Sequence, residues 1–254
     1  MAFGDDYQPE TSIWIRWFEY WKNRRYLSNL RGVGVLKGRL LEIGVGSGSF
    51  LRHAQMAGFE VAGCDLSAPI CRRIQDAFKI RMHCSDLDSL PQGQWDVVAM
   101  NHVVEHVEDP VAFLKAARER LRPGGILHVA VPNVACWEAM LPGWNSYEPY
   151  HLLYFNGPTL DRALRAAGFT PILRFTHETF SGWFLAILRS LLKLKAKHEA
   201  GPQVQAAPSS LPLRALLEHP YRIAMVSVGL VTWPLRVLQG SLGRGDELIV
   251  VARA

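Results

Sequence analysis

Three glycines alternate directly after an apolar run that contains one acidic residue. The run is Leu40–Ile43 with Glu42 inside it, and the glycines are Gly44, Gly46 and Gly48. Glycine lets a ligand lie against bare backbone where a side chain would clash. A helix-like pattern follows, and a helix N-terminus offers unpaired N–H groups to polar ligand atoms. This segment predicts a loop that binds a nucleotide-like ligand.

Polar side chains also close the next three apolar runs. Asp65 lies about 20 residues beyond the glycines, which is the spacing of a carboxylate that holds ribose hydroxyls. Asp86 follows the third run, and Asn101 and His102 end the fourth. Ligands of parallel sheets bind outside the carboxyl ends of the strands. We therefore expect these side chains to form one ligand site with Glu42.

Strand and helix patterns alternate from Gly38 to Pro132, which is typical of a parallel sheet with helices on both faces. An amphipathic helix is predicted over Ser12–Leu30 and a final strand over Gly245–Arg253. The predicted fold class is therefore α/β, with a doubly wound, mostly parallel sheet.

Several further motifs support one family resemblance. The matching pieces are Glu42-x-Gly44-x-Gly46-x-Gly48, Asp65, Asp86-Leu87, Val104-Glu105-His106-Val107, Leu121-Arg122-Pro123-Gly124-Gly125 and Pro149–Phe155. Together they resemble class I S-adenosylmethionine-dependent methyltransferases. The subgroup with ubiquinone-pathway O-methyltransferases and bacterial glycan and lipid methyltransferases is the most similar. The resemblance covers roughly residues 38–177 and the last strand, and implies a seven-stranded Rossmann-like sheet.

The resemblance also implies S-adenosylmethionine as cofactor and gives each polar residue a role. Glu42 and the loop N–H groups would face the amino-acid part of the cofactor, and Asp65 would hold the ribose. Asp86 would accept from the adenine amino group, while the Leu87 N–H donates to a ring nitrogen and Leu66 packs on the ring. The turn Asn101-His102 completes the predicted cofactor site. The alternative for Asp86 is turn and helix-cap chemistry.

A nicotinamide cofactor is the rival interpretation of the glycine loop. The dinucleotide fingerprint is G-x-G-x-x-G/A, and its third glycine position is occupied here by Ser49. The acidic residue before the loop and the Pro-Gly-Gly turn favour S-adenosylmethionine instead. A NAD-dependent oxidoreductase therefore stays a weak alternative.

The segment His102-Val103-Val104-Glu105-His106 has the H-x-x-E-H pattern of some zinc proteases. We exclude a protease because the resemblance assigns this segment to the exit of the fourth strand. His102, Glu105, His106 and His151 stay as weak candidates for a divalent metal, and we expect no metal. His102 and His151 are the candidate general bases, since histidine titrates near neutral pH, with Glu105 as third choice.

Composition indicates a globular protein with one sizeable core. The chain has 254 residues, 49% of them hydrophobic, and a formal charge of +5. The acidic N-terminus lacks the apolar segment of a signal peptide, which favours a cytoplasmic location. Mild basicity also fits an anionic membrane surface or an acidic substrate.

We predict three parts: a helical cap over 1–37, a methyltransferase domain over 38–254, and a helical insertion within it over 179–244. The insertion contains two apolar stretches, 179–197 and 221–242, that are too short for confident membrane spans. They favour helices lying on the inner face of a membrane, and the alternative is packing on the sheet or on a second subunit. The loop 133–156 is rich in aromatic residues, which form either a lid over the acceptor or part of the core.

The predicted function is methyl transfer from S-adenosylmethionine, by O-methylation of a small-molecule, lipid-linked or glycan acceptor. No nucleic-acid partner is expected, because no Asn-Pro-Pro-Tyr-type motif follows the fourth strand and no dense basic stripe is present. A catalytically silent cofactor-binding scaffold is the alternative from another class. The chain is expected to be a monomer or a homodimer.

Overall fold

The computed structural model describes residues 13–144, 146, 151–178, 182–191 and 227–254. They form a sheet of seven strands in the order β3-β2-β1-β4-β5-β7-β6, in which β7 alone is antiparallel to its neighbours. This confirms the predicted doubly wound, mostly parallel sheet. The strands are β1 Arg39–Ile43, β2 Glu60–Asp65, β3 Arg81–Cys84, β4 Trp95–Asn101, β5 Leu121–Pro132, β6 Thr170–His177 and β7 Glu247–Arg253.

Helices connect these strands and begin at residues suited to cap them. Asp109 accepts from the N–H groups of Val111 and Ala112, and Asn156 forms a capping box with Thr159. The helices are α1 Ile13–Gly32, α2 Ser49–Met56, α3 Ala68–Phe78, α4 Pro110–Arg120, α5 Gly157–Ala166, α6 Gly182–Leu191 and α7 Trp233–Ser241. None of the helices in the described part of the chain combines the length and hydropathy needed to span a bilayer.

Two apolar clusters cover the two faces of the sheet. Leu41 and Val98 belong to one cluster and Leu40 and Val97 to the other, because successive side chains of a strand point to opposite faces. Tyr26 and Leu30 of α1 are fully buried in the second cluster. The predicted cap helix is thus part of the core through its second half. Trp21 of the same helix is exposed.

The end of α4 differs from the sequence prediction. The sequence predicts a Pro-Gly-Gly turn at Pro123–Gly125 ahead of the fifth strand, whereas β5 begins at Leu121, which pairs with Trp95 of β4. The pairing shifts register before Val97, and Gly124 has a φ of 74°. The turn residues are therefore an irregular start of the strand. They lie at the amino end of β4, away from the carboxyl ends of the parallel strands.

The topology places the insertion at the same edge as the predicted site. β6 runs parallel to β1–β5, so its last residue, His177, lies at the edge where those strands end. The chain returns at Glu247, the first residue of the antiparallel β7, which is paired with both His177 and Pro132. The parts of the insertion at 179–181 and 192–226 lie outside the described residues, as do residues 1–12.

Candidate active site

A cavity of about 420 Å³ lies at the carboxyl ends of the first four strands. Eight of the ten residues predicted to bind the cofactor line it. They are Gly44, Gly46, Asp65, Leu66, Asp86, Leu87, Asn101 and His102. The other two, Glu42 and Gly48, lie behind this wall.

The glycine loop has no room for a side chain at two of its three glycines. Gly44 and Gly48 have positive φ, and a Cβ on them would lie 2.5 Å from Val103 Cγ2 and 2.3 Å from Ile74 Cδ1, respectively. Gly46 also has positive φ, but a Cβ there would meet open space. The Arg73 guanidinium fixes the loop by donating to the Gly46 carbonyl at 2.9 Å. Gly48 therefore serves the packing of α2 and α3, and Gly44 and Gly46 form the wall.

Asp65 ends β2 with its carboxylate held by two backbone amides. Oδ2 accepts from the Val45 N–H at 3.0 Å and Oδ1 from the Ser67 N–H at 2.9 Å. A carboxylate offers about four acceptor positions, so these bonds orient the group and leave capacity for ligand hydroxyls. The arrangement fits the predicted contact with a ribose.

Asp86 caps a short helix and also lines the cavity, so its position is compatible with both of the roles considered for it. Its Oδ1 caps the short 3₁₀ helix Leu87–Ser89 by accepting from the Ser89 N–H at 3.2 Å. The same residue lines the cavity beside Leu87, which is buried, and Leu66, which is exposed. The exposed Leu66 side chain could pack against the face of a flat ring bound in the cavity.

Glu42 and Asn101 form a buried polar pair behind the loop. Asn101 Nδ2 donates to Glu42 Oε1 at 2.9 Å. Glu42 Oε2 and Asn101 Oδ1 are buried acceptors with no partner at normal hydrogen-bond geometry in the described structure. Burial raises the pKa of the Glu42 carboxyl to about 8, against a smaller lowering by the Asn101 hydrogen bond. Two unsatisfied acceptors fit the ammonium group of an amino-acid ligand.

His102 lies between two carboxylates. Its Nε2 is 3.0 Å from Glu247 Oε1 and its Nδ1 is 3.3 Å from Glu105 Oε1. Tyr26 of α1 donates its hydroxyl to the same oxygen of Glu247. Burial lowers the pKa of His102, but the hydrogen bonds and charges of Glu105 and Glu247 outweigh it and raise the pKa to about 9.

This pairing changes the interpretation of His102. With a pKa of about 9 the imidazole is protonated at neutral pH, and an imidazolium cannot accept a proton from a substrate. The sequence pattern predicts His102 as a candidate base and as a weak candidate for a metal ligand. A ring protonated between two carboxylates would act instead as a fixed cation at the cavity wall.

The structure brings three of the four metal candidates together. The ligand atoms of Glu105, His106 and His151 all lie within 4.8 Å of one another, and His102 is outside this group. The last part of the aromatic loop carries His151 there, because the N–H groups of Leu152 and Leu153 both bond the Glu105 carbonyl. One carboxylate and two imidazoles would suit zinc or a similar ion.

His151 has a defined tautomer. Its Nδ1 is 2.8 Å from the Ser146 carbonyl oxygen, which can only accept, so Nδ1 carries the proton. In a neutral ring of this tautomer the lone pair would be on Nε2. The ring centroid lies 4.8 Å from that of His106, a residue of the cavity wall. His151 is therefore oriented, by its contact with Ser146, as a candidate general base beside the cavity.

Sequence reasoning missed Glu247 and Tyr26. Glu247 is 145 residues from His102, and Tyr26 is 221 residues from Glu247, so no local spacing connects them. The available indication was an acidic residue at the start of the otherwise apolar β7, at the ligand edge of the sheet.

Comparison with known families agrees with this geometry. A family model described as a methyltransferase domain matches residues 16–173. The chain belongs to the methyltransferase domain family. Its fold and family together make it a class I S-adenosylmethionine-dependent methyltransferase, as the resemblance predicted. This membership decides against the NAD interpretation.

The sequence similarity to curated relatives covers only part of this chain and part of each relative. The ubiquinone biosynthesis O-methyltransferase of Ruegeria pomeroyi is 36% identical over 95 residues, which is 35% of this chain and 38% of that protein. The chain thus spans less than half the length of such curated relatives.

Solved structures show the same fold. A SAM-dependent methyltransferase from Archaeoglobus fulgidus superposes with a TM-score of 0.57 at 18% identity, over 96% of this chain and 100% of that one. A putative sarcosine dimethylglycine methyltransferase from Galdieria sulphuraria gives 0.59 at 14% identity, over 92% of this chain and 85% of that one.

Cofactor binding at pH 7 should release protons through Glu42. With a pKa of about 8, Glu42 is mostly protonated in the free protein, and an ammonium beside it would lower that pKa. Calorimetric titration with S-adenosylhomocysteine in phosphate and in Tris buffer should give different apparent heats, because the two buffers take up the released proton with different enthalpies. Glu42→Gln should remove the difference. Equal heats in both buffers for the natural protein would contradict this placement.

Replacing Glu247 with glutamine should lower the pKa of His102. The amide keeps the size of the side chain and an acceptor for Tyr26 but loses the charge that raises the pKa. The stabilisation from this pair is complete below the ordinary histidine pKa of about 6.5 and is lost as pH rises through about 9. NMR titration of the histidine ring protons should show His102 titrating at least about one unit lower in the variant. An unchanged titration would mean that Glu247 does not hold the proton on His102.

Proposed function

We propose that this methyltransferase transfers the methyl group of S-adenosylmethionine to a hydroxyl group of a small-molecule acceptor. The observation that carries the proposal is the 2.8 Å contact between His151 Nδ1 and the Ser146 carbonyl oxygen, which orients the ring and makes Nε2 the nitrogen that could accept a proton. A hydroxyl must lose its proton during methylation, and an imidazole with its lone pair on Nε2 can accept that proton.

The cofactor is proposed to lie along the cavity with its amino-acid end at Glu42 and Asn101. Support comes from the two unsatisfied acceptor oxygens of this pair. Its ribose would bond the carboxylate of Asp65, which two amides already orient. Its adenine would lie between Leu66 and the segment Asp86-Leu87, where an exposed apolar side chain is next to polar groups.

The transfer needs few protein groups. When bound, S-adenosylmethionine would supply a methyl group carried on a sulfonium. The acceptor oxygen would bond the methyl carbon in line with the carbon–sulfur bond that breaks, and the sulfur would leave as a neutral thioether. The protein must align the acceptor and take up its proton. In our proposal His151 Nε2 takes the proton and becomes an imidazolium, and Glu105, buried beside it, stabilises that charge. His102, already a cation, contributes charge and not proton transfer.

A divalent ion is the competing assignment for the same side chains. Glu105, His106 and His151 could hold it, and it would then polarise the acceptor hydroxyl as a Lewis acid. We propose transfer without a resident ion, because the Ser146 bond orients His151 and the His102 ion pair already engages Glu105.

The acceptor is proposed to be lipid-linked, of isoprenoid-quinone or glycan type. The curated relatives are named for ubiquinone biosynthesis, which favours a hydroxylated ring on an isoprenoid chain. The aromatic segment contributes less than a full lid, since Trp144 is buried and Trp137 packs edge-to-face on Trp183 of α6. Tyr154, half-exposed and next to His151, is the ring best placed to meet an acceptor.

Substituting His151 with asparagine tests the base. The amide can still donate to the Ser146 carbonyl, but it has no group that accepts a proton at neutral pH. With a catechol carrying an isoprenoid chain as probe, kcat should fall by about 100- to 10,000-fold while affinity for S-adenosylhomocysteine stays the same. Formation of S-adenosylhomocysteine, followed by mass spectrometry, measures the turnover.

The same assay separates a base from a metal ligand. Dialysis against EDTA should leave the natural protein fully active if His151 is the base. Activity lost to EDTA and restored by Zn²⁺ would assign the three residues to an ion. Equal turnover by the His151→Asn variant, or cofactor binding with no turnover of the probe, would contradict the proposed hydroxyl chemistry.

A further inference from the structure

Two cysteines meet beside the cavity, where the second and third strands end. Cys84 is the last residue of β3, is exposed, and is paired in register with Asp65 of β2. Cys71 lies in the first turn of α3, and its thiol contacts the carbonyl oxygens of Asp65 at 3.5 Å and of His83 at 3.9 Å. The Cys71 and Cys84 thiols also share a side-chain hydrogen bond. Two sulfur atoms are thus in contact next to the residue that would hold the ribose.

The two faces of the sheet decide which thiols can meet. Ile74 of α3 belongs to the apolar cluster on one face, and Met82 of β3 packs against that same cluster. Cys84 lies two residues beyond Met82, so its side chain points to the face that α3 covers. Cys64 of β2 belongs to the cluster on the opposite face. The geometry therefore pairs Cys71 with Cys84 and separates both from Cys64.

The two thiols differ in their access to solvent. Cys84 is exposed and can meet a dissolved oxidant, whereas Cys71 is buried with 4% of its surface exposed. Burial raises the pKa of the Cys71 thiol to about 12, and its hydrogen bond with Cys84 raises it further. Because the thiolate is the reactive form of cysteine, Cys71 resists direct oxidation at neutral pH. Cys84 is the thiol that an oxidant reaches first.

We propose that Cys71 and Cys84 are a redox modification site whose reversible disulfide weakens cofactor binding. Hydrogen peroxide oxidises the Cys84 sulfur to a sulfenic acid, while the peroxide O–O bond breaks and water is released. The Cys71 sulfur then bonds the sulfenic sulfur and displaces its hydroxyl group, which leaves as water with the Cys71 proton. The pair loses two electrons and two protons in total, and a dithiol reductant returns both.

The disulfide would join two segments on which the proposed cofactor placement rests. The first turn of α3 is tied to Asp65, because the N–H of its cap residue Ser67 bonds Asp65 Oδ1. Cys84 leads through one residue into Asp86, which lines the cavity.

Forming the bond must change the distance between these segments. The sulfurs of a disulfide lie about 2.0 Å apart, which is closer than two hydrogen-bonded thiols. The start of α3 and the end of β3 therefore move together, and Cys71 loses its contact with the Asp65 carbonyl. That movement shifts Asp86, proposed to bind the adenine, relative to Asp65, proposed to bind the ribose.

Peptide mapping of the peroxide-treated full chain identifies the bond without cofactor or acceptor. Remaining thiols are alkylated in denaturant, and the digest is read by mass spectrometry. The expected product is one pair of peptides joined through Cys71 and Cys84, which dithiothreitol separates again. Cys64 and Cys136 should both be alkylated.

Calorimetry with S-adenosylhomocysteine measures the effect on the cofactor site. The oxidised protein should bind at least about tenfold more weakly than the reduced protein, and dithiothreitol should restore the affinity. Bound S-adenosylhomocysteine should in turn make the disulfide easier to reduce by the same factor, because coupling between two sites is reciprocal.

Three variants test the assignment of the two sulfurs. Cys84→Ser should bind S-adenosylhomocysteine like the reduced natural protein and should keep that affinity after peroxide treatment. Cys71→Ser retains a donor for the Asp65 carbonyl and should also form no cross-link. Cys136→Ala removes a buried thiol elsewhere in the chain and should stay as sensitive to peroxide as the natural protein.

The outcomes that would overturn the proposal are distinct. A disulfide through Cys64, or oxidation of Cys84 to a sulfinic acid with no cross-link, would contradict the site. A fully cross-linked protein with unchanged affinity for S-adenosylhomocysteine would contradict its effect. If the reduced protein binds no S-adenosylhomocysteine, the cofactor placement itself is wrong and the proposed effect is wrong with it.

Discussion

The ion pair between His102 and Glu247 ties together the edge of the sheet on which the active site depends. It joins the end of β4 to the start of β7, and Tyr26 adds α1 through its bond to the same carboxylate. Burial raises the pKa of the Glu247 carboxyl, but the hydrogen bond and charge of His102 outweigh it and hold that pKa well below its usual value. Breaking the pair would leave the buried Glu247 carboxylate without its charged partner, which destabilises the folded protein.

This pair also fixes local backbone geometry. His102 has a φ of 59°, in the left-handed region that few side chains adopt. Its two carboxylate partners hold the ring in place there, directly after Asn101. The amide of Asn101 can then donate to Glu42 from one side of the cavity. The proposed placement of the cofactor's amino-acid end therefore depends on contacts made by the last strand of the sheet.

Local pattern was enough to predict the sheet and much of the cavity wall. The glycines, Asp65 and Asp86 could be found because strand ends and turns are encoded within a few residues of each other. The His102 pair could not, since its partners are far apart in sequence and one belongs to a strand that otherwise looks purely structural. The polar inner side of α7 could not be predicted either. An apolar helix with one Arg and one Gln gives no sign that Arg236 and Gln239 are its buried residues. The proposal that His151 is a base and not a metal ligand rests on the Ser146 contact, which no spacing predicts.

Binding of the cofactor product to the natural protein and to an Asp65→Asn variant tests the central claim most directly. Isothermal titration calorimetry with S-adenosylhomocysteine should show one site on the natural protein and an affinity about 10- to 100-fold lower for the variant, because charge-assisted bonds to the ribose hydroxyls are lost. Asp88→Asn, two residues beyond Asp86 on an exposed turn, should bind like the natural protein. No binding by the natural protein, or equal affinity of the Asp65→Asn variant, would contradict the account of this cavity as the S-adenosylmethionine site.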